Sequence, residues 1–97
     1  MGAFLIFHST VKDPDKFSSY AKAVPATLEP FGGTVLARGK AEKVFSGKHP
    51  HSSVGILRFH DLDKAHAWYE SDAYQALIPI REAAASMTVI SYAEPPA

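Results

Sequence analysis

The sequence predicts an α+β subunit in which a strand–helix–strand unit occurs twice. Strand and helix patterns follow one another in the order βαββαβ along the 97 residues. The two halves also share a short echo, DPDKFSSY at residues 13–20 and DLDKAHAW at residues 61–68. A duplicated split βαβ unit is the ferredoxin-like arrangement, a four-stranded antiparallel sheet with helices on one face. The length predicts one domain over residues 1–97.

The first half begins with an apolar strand and an amphipathic helix. Residues Ala3–Val11 are rich in β-branched and aromatic side chains and are apolar at both parities until His8, which predicts a strand covered on both faces. Asp13 is the predicted N-cap of the helix, in which apolar residues recur at helical spacing until PFGG at 30–33 ends it. Pro25 lies inside this pattern and predicts a kink.

The segment after this helix predicts a strand, a loop and another strand. Thr34–Phe45 has strand character, with Gly39 as the expected place for an interruption or bulge. The stretch SGKHPHS at 46–52 predicts a loop from its Gly, Pro and Ser content. Ser53–His60 then predicts the third strand.

The second half repeats the helix-start signal. Asp61 is the predicted N-cap of a helix that ends near Ser71. Asp72 is expected to cap a further helix that runs through Ala85, in which Pro79 produces either a kink or a restart. The remaining predictions are a fourth strand at Met87–Tyr92 and a frayed tail at 93–97.

The pattern of the first strand also predicts a dimer. Helices cover one face of a ferredoxin-like sheet, so the other face should be polar. Phe4 and Ile6 on one parity and Leu5 and Phe7 on the other are nevertheless all apolar. A second copy packed face to face through a twofold axis would cover the remaining face, which predicts a homodimer and a dimeric α/β barrel.

Composition excludes several function classes. Ten basic and ten acidic residues cancel, so the chain lacks the charge expected of a nucleic-acid or anionic-membrane binder. Without cysteine there is no disulfide and no thiolate nucleophile. No apolar run approaches the length of a membrane span, and the N-terminus is not a signal peptide, which together predict a cytoplasmic location.

Three blocks of the sequence resemble a known family. PATLEPFGGTVLARG, AWYES and YQALIPIR, in this order and spacing, are similar to DUF1330, a domain-of-unknown-function family of the dimeric α/β-barrel superfamily. The resemblance covers nearly the whole chain and implies a ferredoxin-like subunit in a face-to-face dimer. Wider relatives include cofactor-free monooxygenases, lactone isomerases and haem-binding enzymes. The resemblance implies no particular reaction, no cofactor and no catalytic residues.

The stretch AWYESDAYQALIPIR either packs a helix on the sheet or forms part of a binding site. Trp68 and Tyr74 lie on an apolar helical stripe, which favours core packing, with ligand stacking as the alternative. Arg81 aligns with the same stripe and therefore requires a partner. That partner is either a structural carbonyl or carboxylate, or an anionic ligand. We include all three among the candidate ligand-binding residues.

The remaining candidates lie on the predicted strands. Arg38 in LARGK is a candidate ligand-binding residue, although a role at the surface or at the rim of the dimer is favoured. His8 and Arg58 are expected on the barrel-facing side of neighbouring strands, where histidine could act as general base and arginine could stabilise an oxyanion. The alternative for His8 is a hydrogen-bonded structural residue of the core or of the interface. HPH at 49–51 lacks the further ligands of a metal site, so no metal is predicted.

These observations leave three functions open. The first is a small homodimer that binds a small anionic or aromatic molecule, either between sheet and helices or inside the dimer barrel. The second is a small cofactor-independent enzyme of the monooxygenase or isomerase kind. The third is a purely structural or regulatory dimer. In the interior of the dimer, a pocket of a few hundred cubic ångströms lined by His8, Arg58 and Arg81 would favour binding, whereas a solid core would favour the structural dimer.

Overall fold

The computed structural model describes residues 2–96, and the predicted fold class is confirmed. Four antiparallel strands form one sheet in the order β2-β3-β1-β4, with the helices on one face. Strands 1 and 3 are neighbours, as expected. The elements are β1 Ala3–Val11, α1 Pro14–Leu28, β2 Thr34–Lys40, β3 Ser53–Phe59, α2 Leu62–Glu70, α3 Asp72–Gln75, α4 Ile78–Ala84 and β4 Ala85–Ala93.

Both predicted helix caps are present. Asp13 Oδ1 accepts a hydrogen bond from the backbone N–H of Lys16 at 3.1 Å, and Asp61 Oδ1 accepts one from Lys64 at 2.8 Å. Each carboxylate satisfies a backbone donor that the first turn leaves unpaired. Pro25 lies inside α1, which continues past it for another three residues.

The turn after α1 depends on its two glycines. A single 3₁₀ turn at Glu29–Phe31 follows α1, and Gly32 then adopts a left-handed φ of 67°. Gly33 lets the chain pass close to the core, because a Cβ atom there would lie 2.6 Å from the ring of Phe59. The chain therefore enters β2 tightly packed against β3.

The predicted second strand was too long, and its bulge was placed wrongly. β2 ends at Lys40 rather than Phe45, because β3 begins at Ser53, the residue paired with Lys40. Beyond that pair, Ala41 donates a single hydrogen bond to Ser52, and the rest of the segment lacks a ladder partner. The register shift falls between Val35 and Ala37, and not at Gly39.

The region between α2 and β4 also differs in detail from the prediction. Ser71, and not Asp72, caps α3, because its Oγ accepts a hydrogen bond from the N–H of Tyr74. Pro79 begins a separate helix, α4, which is the restart rather than the kink. The predicted frayed tail is held at its start: Ala93 belongs to β4, and Glu94 donates its N–H to Gly2. Ala97 lies outside the described residues.

The core lies between the helices and one face of the sheet. Along β1 the odd-numbered residues from Ala3 to Ser9 are buried and the alternate residues are half-buried. The largest fully buried side chains are those of Trp68, Tyr74, Phe59 and Leu28. Burial of these large side chains, most of them aromatic, is the main stabilising contribution in so small a subunit.

The opposite side of the sheet, the open face, is largely apolar, and none of the helices in residues 2–96 covers it. Cross-strand pairing aligns Ile56, Ile6 and Ile90 in one row and Arg58, Phe4 and Tyr92 in another. Ile90 and Tyr92 are 38% and 42% exposed. A continuous apolar row of this kind is unusual on the free surface of a monomer.

Candidate functional site

A cleft of about 360 Å³ opens between α1 and the β2 side of the sheet. We call it the α1 cleft. Its floor comes from the helix-facing side of the sheet and its wall from α1. The floor residues include Phe7, Ser9, Gly55 and Leu57, and the wall residues include Phe17, Tyr20 and Val24. This volume is within the range of small-molecule sites.

The cleft exists because the helices do not cover the edge of the sheet. α1 packs mainly beside α4 and reaches β2 only sparsely. All seven residues of β2 are therefore exposed, in contrast to the alternating burial of β1. Gly55 deepens the cleft, because a Cβ atom there would have no neighbour within 4 Å. Because Gly55 has no side chain, β3 leaves space in the cleft at this position.

Two cations stand at the rim of the cleft. Arg38 pairs with Gly55 and Lys40 pairs with Ser53, which places both on the helix-facing side of β2. In the part of the chain that the structure describes, no aspartate or glutamate lines the cleft. Within residues 2–96, the ion pairs are Arg58–Glu94 and Arg81–Glu82, so neither rim cation is neutralised by a carboxylate there. The rim therefore favours an anionic group over a largely apolar interior.

A buried chain of hydrogen bonds leads from the cleft wall into the protein. The hydroxyl oxygens of Tyr20 and Tyr74 lie 2.7 Å apart. Arg81 Nη1 donates to the hydroxyls of Tyr74 and Tyr69, each at 3.0 Å. Its Nη2 donates to Glu82 Oε1 at 3.0 Å. Phenol oxygens therefore take most of the hydrogen bonds of this buried guanidinium.

The network fixes the protonation of its members. Burial raises the pKa of Tyr20, and the neighbouring Tyr74 raises it further. Burial also raises the pKa of Tyr74, although its bonds to Tyr20 and Arg81 oppose this. Burial alone would lower the pKa of Arg81, but hydrogen bonds to Tyr69, Tyr74 and Glu82 outweigh it and raise that pKa. At neutral pH both phenols are neutral and the guanidinium is charged.

The structure places Trp68 in the core and outside the cleft. Its side chain is fully buried, and its ring centroid lies 4.3 Å from that of Tyr74 and 5.6 Å from that of Phe59. Its Nε1 donates a hydrogen bond to Thr27 Oγ1 at 2.9 Å. Trp68 thus joins α2 to α1, and its indole ring packs against core aromatic rings of residues 2–96 rather than facing open space.

Arg81 and Tyr74 are likewise absent from the cleft lining. Arg81 is 7% exposed and its partners belong to its own subunit. Its Nε is buried without a hydrogen-bond partner within residues 2–96. Of the predicted ligand-binding residues, only Arg38 lines the cleft. Tyr74 reaches it indirectly, through its contact with Tyr20.

His8 and Arg58 share the open face but do not meet. His8 pairs with Val54, and Arg58 pairs with Phe4, so four residues of strand separate them, a distance of about 13 Å. Arg58 forms an ion pair with Glu94 at 2.7 Å and lies over the ring of Phe4. The polar groups of His8 and Arg58 therefore do not come together within one subunit.

His8 instead belongs to a cluster of three histidines at the other end of the open face. Its ring centroid lies 4.9 Å from that of His49, which lies 5.9 Å from that of His51. His51 also contacts the hydroxyls of Thr10 and Thr88 at 3.0 and 3.1 Å. Burial, and then His49 and His51, lower the pKa of His8.

The part of the chain that the structure describes has no group of three or more His, Cys, Asp or Glu residues arranged to hold a metal ion. Its helices include none with the length and apolar character needed to cross a membrane.

Sequence reasoning missed most of the cleft. Tyr20 in α1 follows the apolar helical pattern and gives no sign of a site, and Ser9, Gly55 and Lys40 are not among the predicted site residues. One signal was available: the alternation Arg38, Lys40 on an edge strand places two cations on the same side. The depth of the cleft was not available, because it depends on where α1 packs over the sheet.

Solved structures share this fold over almost the whole chain. A protein of unknown function from Rhodopseudomonas palustris matches with a TM-score of 0.81 and 14% identity, covering 99% of this chain and 84% of its own. A dimeric ferredoxin-like protein of unknown function from Jannaschia sp. matches with a TM-score of 0.76 and 10% identity, covering 95% and 98%.

A third similar structure is an enzyme. SnoaB, a cofactor-independent oxygenase from Streptomyces nogalater, matches with a TM-score of 0.71 and 13% identity, covering 99% of this chain and 95% of its own. Identities this low establish the shared fold alone. No curated protein is similar enough in sequence to count as a relative.

Comparison with models of protein families identifies a family as well as a fold. The model of the domain of unknown function DUF1330 matches residues 2–93, which include every strand, every helix and the whole α1 cleft. The match spans nearly all of the sequence and agrees with the resemblance of its three blocks. The chain is therefore a member of the DUF1330 family.

Proposed function

We propose that this protein is a homodimer whose subunits each bind a small, largely apolar molecule with an anionic group in the α1 cleft. The observation that carries the binding proposal is the pair of rim cations, Arg38 and Lys40, above an apolar floor that includes Phe7 and Leu57. An apolar body lowers its free energy by leaving water, and the anion is held by two charges that lack carboxylate partners within residues 2–96. The cytoplasm is the location we assign to this activity.

The dimer part of the proposal rests on the open face. Three isoleucines, Ile6, Ile56 and Ile90, form a row across β3, β1 and β4, and Leu36 is 53% exposed at the bulge of the other edge strand, β2. A second copy would remove this surface from water on both subunits at once. The related fold from Jannaschia sp. is described as dimeric, which supports the same assembly here.

The binding experiment uses naphthoate as the probe, with methylnaphthalene as its uncharged counterpart. Isothermal titration or ligand-observed NMR measures each affinity. Replacing both Arg38 and Lys40 with alanine should lower the affinity for naphthoate by about tenfold, because two charge-assisted contacts are lost. The affinity for methylnaphthalene should stay the same. Arg58→Ala, which removes an arginine from the open face, is the matched control and should leave naphthoate binding unchanged.

A second variant tests the location directly. Gly55→Leu places a side chain in the empty space above the cleft floor, where a Cβ atom meets no neighbour within 4 Å. It should abolish binding of both probes while the protein remains folded. If Gly55→Leu binds naphthoate as wild type does, the α1 cleft is not the binding site.

A further inference from the structure

The hydrogen-bond chain at the inner wall of the cleft has a direction. Arg81 Nη1 is a donor only, so the Tyr74 hydroxyl oxygen must accept its hydrogen bond. The Tyr74 hydroxyl has one proton of its own to donate. Its other contact within residues 2–96 is the Tyr20 hydroxyl, 2.7 Å away, and the Tyr74 side chain is fully buried. Donation from Tyr74 to Tyr20 is therefore the arrangement that leaves no proton stranded in the core.

This direction leaves the Tyr20 proton available. The Tyr20 oxygen accepts from Tyr74, and its hydroxyl has no other hydrogen-bond partner among residues 2–96. Tyr20 is 5% exposed and lines the α1 cleft. The reverse direction would bury the Tyr74 proton without an acceptor, whereas the side chain of Tyr20 lines a space that a ligand can fill. The positive charge of Arg81 polarises the chain and strengthens its last donor.

We infer that Tyr20 donates a hydrogen bond to an acceptor oxygen of the bound molecule, and that Arg81 acts through Tyr74 to position and polarise this donor. This inference rests on the proposed function, and it narrows the ligand class. The ligand carries an anionic group that meets Arg38 and Lys40 at the rim, and a carbonyl or similar acceptor oxygen at its inner end. An aromatic or polycyclic keto acid has this chemistry. Tyr20 is then a residue that determines specificity.

The test compares two probes of the same shape. One is an acetyl-naphthoate with its ketone and carboxylate at opposite ends, and the other is the isopropenyl-naphthoate in which a methylene group replaces the ketone oxygen. Wild type should bind the ketone about fivefold more tightly, which is the discrimination expected from one buried hydrogen bond. Tyr20→Phe should bind the two probes equally. Tyr92→Phe removes a hydroxyl from the open face, and the preference for the ketone should persist.

Two further measurements separate Tyr20 from other donors. Ser9 and Ser53 also line the cleft and carry hydroxyl groups. Ser9→Ala and Ser53→Ala should retain the ketone preference, and its loss in either variant, with retention in Tyr20→Phe, overturns the assignment to Tyr20. The infrared carbonyl stretch of the bound acetyl-naphthoate should lie at lower frequency in wild type than in an aprotic solvent. An unshifted stretch in wild type overturns the inference even if Tyr20→Phe fails to fold.

The outcomes also separate this inference from the proposed function. Equal binding of both naphthoates by wild type, abolished by Gly55→Leu, keeps the cleft as the site and removes the donor role of Tyr20. If wild type binds neither naphthoate, the proposed function and this inference are both overturned.

Discussion

The guanidinium group of Arg81 donates a hydrogen bond to the hydroxyl of Tyr74 over 3.0 Å, seven residues earlier in the chain, and both side chains are buried. This contact joins α4 to α3 and continues through Tyr20 into α1. A charge buried in the core raises the free energy of the folded state unless hydrogen bonds compensate for it. The tyrosines around Arg81 therefore provide hydroxyl acceptors for the guanidinium as well as apolar contacts.

Replacing Arg81 with alanine should therefore destabilise the protein. The buried phenol oxygen of Tyr74 and the half-buried one of Tyr69 lose their charged donor, and a cavity is left beside them, which should lower the free energy of unfolding by about 2–4 kcal/mol. Urea denaturation followed by circular dichroism measures this. Arg38→Ala, at the exposed rim of the cleft, should change the unfolding free energy by less than about 0.5 kcal/mol. Equal stabilities of the two variants would contradict the structural role of Arg81.

Trp68 should be the most costly single aromatic residue to remove. Trp68→Ala should lower the free energy of unfolding by about 3–5 kcal/mol, because a fully buried indole leaves a large cavity. Its hydrogen bond to Thr27 can be isolated by a double-mutant cycle with Trp68→Phe and Thr27→Val. A coupling free energy of about 1 kcal/mol is expected. Additive effects would show that this bond contributes nothing to joining α2 and α1.

The open face should be the dimer interface. Ile90 on this face and Ile80 on α4 are 38% and 41% exposed, which makes them a matched pair. Ile90→Glu should convert the dimer to a monomer of 10.5 kDa in size-exclusion chromatography with light scattering, because it places an unpaired charge in an apolar interface. Ile80→Glu should remain dimeric. A monomeric wild type at micromolar concentration would refute the dimer.

The histidine cluster should make stability depend on pH. The folded pKa of His8 lies below its ordinary value of 6.5, because burial, His49 and His51 disfavour the charged form. Over the range just below pH 6.5 the unfolded chain then binds more protons than the folded one, so stability falls as pH falls from about 7 to about 5. His8→Gln should reduce this slope. An NMR titration of His8 with a midpoint at or above 6.5 would contradict the expected direction.

Local signals in the sequence determined much of the fold. The caps at Asp13 and Asp61, the interruption of the helix pattern at Pro79 and the strand at Ala3–Val11 each depend on residues within a few positions of one another. The sequence left both a kink and a restart open at Pro79, and the structure shows the restart. Their physical causes act over the same short range: a carboxylate next to free N–H groups, a missing donor in proline, and the twofold alternation of a strand. The order of these elements then restricted the topology.

The tertiary structure alone decided the site. The parity of His8 and Arg58 placed both on one face, but only the register of β1 against β3 showed that they lie apart along it. The α1 cleft forms because α1 packs beside α4 and leaves the edge strand uncovered, a result of side-chain packing between distant segments. The donor chain from Arg81 to Tyr20 joins residues 61 positions apart, and no local pattern encodes a contact of that separation, because it depends on how four helices pack on one sheet.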